Sequence, residues 1–101
     1  KSISHITGGG FYENIPRALP DGVAAKISKN SYEVPAIFKL LQQTGNISEH
    51  DMYNTFNMGI GMMLVVDKAD AAKAVEILKA NGENAFIIGE TVASSEGVII
   101  E

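Results

Sequence analysis

The residues of this chain whose types and spacing suit chemistry begin at His5. There His5-Ile6-Thr7-Gly8-Gly9-Gly10-Phe11 sets an imidazole, a hydroxyl and three successive glycines between an apolar segment and a stretch of helical character. Glycine admits left-handed backbone angles and lets a ligand approach the main chain closely. A helix start beyond it presents free N–H groups and a partial positive charge. Together these suit a phosphate or a carboxylate. The same glycines also suit a tight turn that needs them for geometry alone, and spacing does not choose between the two. The loop is not a dinucleotide fingerprint, because Glu13 stands where a third spaced glycine belongs. It is not a Walker loop either, because no Gly-Lys-Ser/Thr follows.

A second pattern, Thr55-Phe56-Asn57-Met58-Gly59-Ile60-Gly61-Met62, puts an amide at the mouth of a strand beside two glycines. On spacing alone it reads as a helix stop followed by a tightly packed strand. His50, the other histidine, falls in the first turn of a helix and reads as a solvated surface group. The two histidines lack metal-ligand spacing. Glu13, Asp51 and Glu83 are candidate carboxylates with nothing to pair them, and no Ser-His-Asp arrangement is visible. Met52, Met58, Met62 and Met63 read as core filler.

These residues need elements to hold them. Ser2–Thr7 reads as a strand. Phe11–Leu19 is helical but carries Pro16, so it is expected short or kinked, with a new start near Asn14. Pro20-Asp21-Gly22 is a turn and Val23–Ile27 a strand. Val34, Ile37, Phe38 and Leu41 keep helical spacing, with Asn30 or Ser31 as cap, Pro35 in the first turn and Gly45 at the end. A further helix starts at Ser48, with Met52 and Phe56 inward and Asn57 and Gly59 closing it. Ile60–Val66 is a continuous apolar run, expected as a central strand covered on both faces. Asp67 or Asp70 opens a helix with Ala71, Val75 and Leu78 inward, ended by Asn81-Gly82. Ala85–Ile88, extending toward Val92, and Gly97–Ile100 are the last strands. The order predicts an α/β fold: a single two-layer sandwich in which one mixed β-sheet carries the helices.

Composition narrows the field of functions. The 101 residues fit one small domain, and 46% hydrophobic with 20% charged residues is the balance of a globular core. The 8 basic residues, Lys1 included, are dispersed against 12 acidic ones, for a net charge of −4, so nothing tracks a nucleic-acid backbone. With no cysteine, thiol catalysis, disulfides and cysteine-held metals are excluded, and a reducing compartment is suited. No apolar run reaches membrane-span length and there is no signal-peptide pattern, so neither nucleic acid nor membrane is expected as a partner. A chain that opens at Lys1 reads most simply as a piece of a longer protein.

Taken in order, HITGGGFYENIPRALP, then MYNTFNMGIGM, then NGENAFIIGE resemble the phosphoribosylformylglycinamidine cyclo-ligases, also called aminoimidazole ribonucleotide synthetases, over nearly the whole chain. The Gly-Gly-Gly core is shared more loosely with sister ATP-dependent enzymes, and the Glu13–Arg17 string favours the cyclo-ligases over them. The resemblance implies a cytoplasmic, two-domain homodimer of purine biosynthesis that uses ATP and magnesium to close an imidazole ring in formylglycinamidine ribonucleotide. It implies that residues 1–101 are a C-terminal domain, incomplete at its N-terminal edge, whose N-terminal ATP-binding partner domain lies outside this sequence. His5, Thr7, Gly8, Gly9 and Gly10 would line the cleft and help hold a substrate phosphate, with Asn57, Gly59 and Gly61 as a neighbouring wall. The catalytic groups and metal ligands are not assigned, and no ATP or magnesium is expected to stay bound to this part alone. The rival readings are a free-standing small-molecule-binding or regulatory module, and the corresponding domain of a sister enzyme.

Overall fold

Proline and glycine set the path of the first third of the chain in the computed structural model, which describes residues 2–101. Lys1, one of the dispersed basic residues, lies outside them. Strand β1 (Ser2–His5) leads through the glycine loop into a short helix α1 (Gly10–Asn14). Pro16 has no N–H and a fixed φ, so α1 cannot run on. The helix is short, as expected, but no new helix starts at Asn14, which is the last residue of α1. The chain instead tightens into a 3-10 turn at Pro16–Ala18 with Ile15 at its cap position. Gly22, at φ +80°, completes the expected turn into β2 (Val23–Ile27), closed by the Val23 N–H donating to Pro20 O at 3.2 Å.

Two helices follow, α2 (Ala36–Gly45) and α3 (Glu49–Thr55). The start of α2 differs from expectation. Pro35, not Asn30 or Ser31, holds the cap position, because a residue before proline is pushed to extended backbone and a helix cannot begin ahead of it. Ser31 instead donates its hydroxyl to Ser28 O. Asn46, left-handed at φ 51°, stops α2 one residue beyond Gly45. The cap of α3 is as predicted: Ser48 Oγ accepts the Asp51 N–H at 3.2 Å. Strand β3 (Met62–Val65), a 3-10 turn at Lys68–Asp70, helix α4 (Ala71–Ala80) and strands β4 (Gly89–Ala93) and β5 (Val98–Ile100) complete the chain. Asp70 precedes α4 without a side-chain cap bond, and Gly82 at φ +87° follows its end.

The α/β class holds, with helices and a mixed sheet, but the strands divide between two sheets where one was expected. β1 and β3 form an antiparallel ladder, Ser2 opposite Val65 and His5 opposite Met62. β2 lies between β4, antiparallel, and β5, parallel. The apolar Ala85–Ile88 is not itself a strand. The ladder begins at Gly89, where a Cβ would stand 1.9 Å from Lys26 O.

Phe11, Ile15 and Met52 are fully buried and gather Ile6, Ala25, Ile27, Tyr53, Met58, Met63 and Val98 into one core between the two sheets and helices α1 and α3. The Phe11 and Tyr53 rings meet edge to face at 5.2 Å. The Ile60–Val66 run is not the central strand. Met63 points into the core, but Met62 is 56% and Leu64 44% exposed, because nothing among the described residues covers the outer face of the β1–β3 ladder. Three of the four methionines are core filler as expected, and Met62 is not. The strand flanked on both edges and buried on both faces is β2, with Ala24 and Ala25 both enclosed.

This assignment has a direct test. Ala25→Asp places an unpaired charge in the core and should cost several kcal/mol, whereas Met62→Asp, on the open face, should change stability by about 1 kcal/mol or less. Chemical denaturation of the two variants checks it, and equal losses would put β3 rather than β2 at the centre.

Candidate functional site

The glycine loop is organised by a residue four positions beyond it. Asn14, the last residue of α1, is 4% exposed, and its side-chain amide turns back over the loop. Nδ2 donates to Thr7 O at 3.1 Å, Gly8 O at 3.2 Å and Gly10 O at 2.8 Å. Oδ1 accepts the Thr7 hydroxyl at 3.2 Å and an Arg17 guanidinium N–H at 3.5 Å. Behind it, buried Ser4 donates its hydroxyl to Asn14 O at 2.9 Å, which ties β1 to the end of α1. In a trans peptide the C=O and N–H point opposite ways. By drawing Thr7 O and Gly8 O inward, Asn14 therefore turns the Gly8 and Gly9 N–H groups outward. Among the described residues neither N–H has an acceptor within reach, while the Gly10 N–H closes a turn on Thr7 O at 3.0 Å.

The structure separates the three glycines. Gly10 has φ +65°, and a Cβ there would stand 2.0 Å from Tyr53 O and 2.8 Å from Phe56 O. It is glycine so that α1 can press against the end of α3. Gly9 has φ +96°, and its absent side chain leaves room for Glu13. Gly8 has neither constraint: its φ is ordinary and nothing lies within 4 Å of a Cβ placed there. His5 and Thr7 are exposed beside it.

The second pattern sorts in the same way. Asn57 Oδ1 accepts the Gly59 N–H at 2.9 Å, forming a local turn. Gly59, at φ +94°, packs where a Cβ would meet Pro35 Cδ at 2.6 Å. The residue between them, Met58, is left-handed at φ 53° without being glycine. That conformation costs a β-carbon residue about 1–2 kcal/mol. It is held by core packing and by the Tyr32 hydroxyl, which donates to Met58 O at 3.1 Å. Burial pushes the Tyr32 phenol far above its ordinary range, so it stays a donor. Gly61 is like Gly8, with ordinary φ and open space. It adjoins the first pattern directly, because the Ile6 N–H donates to Gly61 O at 2.9 Å.

The structure thus brings His5, Thr7, Gly8, Gly9 and Gly61 to one end of the β1–β3 ladder. Gly10 lies beneath them as a packing residue, and Asn57 and Gly59 shape the chain that leads into β3. An open hollow of ≈ 330 Å³ lies elsewhere, lined by Lys26, Ser28, Gly89 and Glu101 among others and by none of these residues. Its Lys26–Glu101 pair, at 3.3 Å, is half-exposed and adds little to stability.

Next to α1, Tyr12 stacks on His50 with ring centroids 4.4 Å apart. Burial, and then the Glu49 carboxylate, raise the Tyr12 phenol above its usual value. Glu49 itself pairs with Lys29 at 2.8 Å. Among the described residues no three of His, Asp or Glu come together as a metal-holding group.

Two contributors escaped the sequence reading. Asn14 was expected only as a new helix start, although an asparagine four residues after a glycine, on a helical turn, faces back over that glycine. Left-handed Met58 carries no such signal.

Comparison with known proteins places the chain in a family. Residues 1–101 match the family described as AIR synthase related protein, C-terminal domain. The chain is similar to the phosphoribosylformylglycinamidine cyclo-ligase of Lachnospira eligens, with 61% identity over 99% of this chain and 29% of that protein. Identity is 58% to the protein of the same name from Lachnoclostridium phytofermentans, over 99% of this chain and 29% of that one. It is 55% to that of Staphylococcus carnosus, over 98% and 29%. The chain thus spans about 29% of the length of these curated relatives. With the match running from its first residue to its last, the chain belongs to the AIR synthase related protein, C-terminal domain family.

Proposed function

We propose that this chain is the cleft-forming C-terminal part of a cyclo-ligase that closes the imidazole ring of aminoimidazole ribonucleotide from formylglycinamidine ribonucleotide in purine biosynthesis. The observation that carries this reading is 61% identity, over 99% of the chain, to a protein named as that ligase. ATP would supply the phosphoryl group that activates the formyl amide oxygen, so that the amidine nitrogen can displace phosphate from that carbon. The described residues hold no acidic or histidine cluster that fits magnesium, so no step is assigned to the metal here. The nucleotide site and the homodimer contact belong, on this reading, to an N-terminal domain of the same polypeptide, and the enzyme works in the cytoplasm.

The part assigned to this chain is one side of the cleft. His5, Thr7, Gly8, Gly9 and Gly10 form the strip that receives the substrate phosphate. The outward Gly8 and Gly9 N–H groups are the donors, and Gly10 fixes the strip from below. Preorganised backbone donors of this kind recognise an anion without a charged side chain. Gly61, adjoining the strip, and the Asn57–Gly59 turn make the neighbouring wall.

Purified residues 1–101 should melt cooperatively yet form no product from ATP, magnesium and formylglycinamidine ribonucleotide, whereas the full-length protein should close the ring. Turnover by the isolated chain would refute the division of labour. The glycines give a second test in the full-length protein. Gly8→Glu, at an unstrained and open position, should leave the melting temperature in place and raise KM at least tenfold by setting a carboxylate beside the phosphate. Gly10→Ala should lower the melting temperature instead, because its Cβ meets main chain. A Gly8→Glu enzyme with unchanged KM would make the loop a turn and nothing more.

A further inference from the structure

Asn14 fixes more than the loop's shape. It also fixes which way each hydrogen bond at the strip can run. Its Nδ2 faces three main-chain carbonyls, Thr7 O, Gly8 O and Gly10 O, none of which can donate. The amide therefore has one tenable orientation. The reverse flip would set the Oδ1 lone pairs against three carbonyl oxygens inside a nearly closed pocket, where no water can relieve the repulsion. With the nitrogen so placed, Oδ1 must lie toward Thr7 Oγ1, 3.2 Å away, and Oδ1 can only accept. The Thr7 hydroxyl proton consequently points inward at Asn14. The opposite arrangement sets lone pair against lone pair. What Thr7 offers to the exposed side is lone-pair density and no proton.

We propose that Thr7 serves the substrate as a hydrogen-bond acceptor, receiving an O–H or N–H of the bound molecule next to the phosphate, and that Asn14 is the positioning residue that sets this polarity. The proposal rests on the ligase reading and refines one part of it: Thr7 lies in the phosphate strip but does not donate to the phosphate. The strip then carries two kinds of recognition side by side. Outward N–H groups at Gly8 and Gly9 suit an anion, and an outward lone pair at Thr7 suits a neutral donor. A ligand with an anionic group flanked by a hydroxyl or an amine satisfies both. A bare anion leaves the Thr7 lone pair facing a second acceptor, which is repulsive. The same reasoning makes Arg17 a helper rather than a binder. Its N–H at 3.5 Å from Asn14 Oδ1 adds a second donor on the accepting side of the amide and reinforces its orientation.

The test uses the full-length enzyme. Thr7→Val keeps the shape and removes the hydroxyl. It should raise KM for formylglycinamidine ribonucleotide about fivefold or more with kcat little changed, and lower the melting temperature by only a few degrees. A crystal structure of the wild-type enzyme with that substrate should place a substrate hydroxyl or N–H, not a phosphate oxygen, within hydrogen-bond distance of Thr7 Oγ1. If Thr7→Val does not fold, the wild-type complex decides alone. A phosphate oxygen on Thr7 Oγ1, no ligand atom there, or an unchanged KM in folded Thr7→Val would overturn the proposal. A wild-type full-length protein that closes no ring would overturn the ligase reading by itself, before any variant is compared.

Discussion

The side-chain amide of Asn14 is the contact on which the surrounding structure depends. It bonds to Thr7, Gly8 and Gly10 through their carbonyls and to Thr7 a second time through its hydroxyl. A loop of three glycines has the largest conformational entropy to lose of any three residues, and no side chains of its own with which to offset that loss. One buried amide supplies the missing enthalpy from a position that the helix geometry guarantees. Because it is buried, each bond is made in a low-dielectric setting, and each would be expensive to leave unmade. The loop can then be both glycine-rich and rigid.

Rigidity passes from this point to the second pattern through main-chain contact. Gly10 lets α1 lie against the carbonyls of Tyr53 and Phe56 at the end of α3, and the Ile6 N–H reaches Gly61 O just before β3. Phe11 and Met52, both fully enclosed, fill the space between. The two patterns, some forty residues apart in the chain, are therefore one structural unit. A change in either would be felt by the other through packing that has no slack.

Much of this was legible beforehand, and the exceptions share a cause. The Pro16 break, the Pro20–Gly22 turn, the Ser48 cap and the Asn81-Gly82 stop are local signals, decided by the chemistry of a few adjacent residues, and each stands where the sequence put it. The class of fold followed from their order. What sequence could not reach were relations between distant elements. Ile60–Val66 has the composition of a strand covered twice, yet among the described residues only its Met63 side meets the core, because a run of apolar residues does not say which face another element reaches. The apolar Ala85–Ile88 looked more strand-like than Gly89–Ala93, but pairing went to the segment whose glycine lets main chain approach main chain. The resemblance grouped His5, Thr7 and the three glycines of the loop, with Gly61 in the neighbouring wall, but it could not reveal that Gly8 and Gly61 are free of internal constraint while Gly9 and Gly10 are not. Resemblance pointed to the family, and geometry separated the glycines that packing requires from those that it leaves open.

The open face of the β1–β3 ladder bears on how this polypeptide behaves in bulk. Ile3, Met62 and Leu64 stand exposed on one side of two strands, each paired along only one edge among the described residues. The accessible surface is 6490 Å², against about 5,500 Å² for a typical monomer of this mass. An apolar strip bordered by unused main-chain donors and acceptors is a template for edge-to-edge pairing between molecules. For the isolated chain, such a strip favours association between folded molecules over unfolding as the route out of solution. Association of that kind depends on protein concentration, whereas unfolding of a single molecule does not.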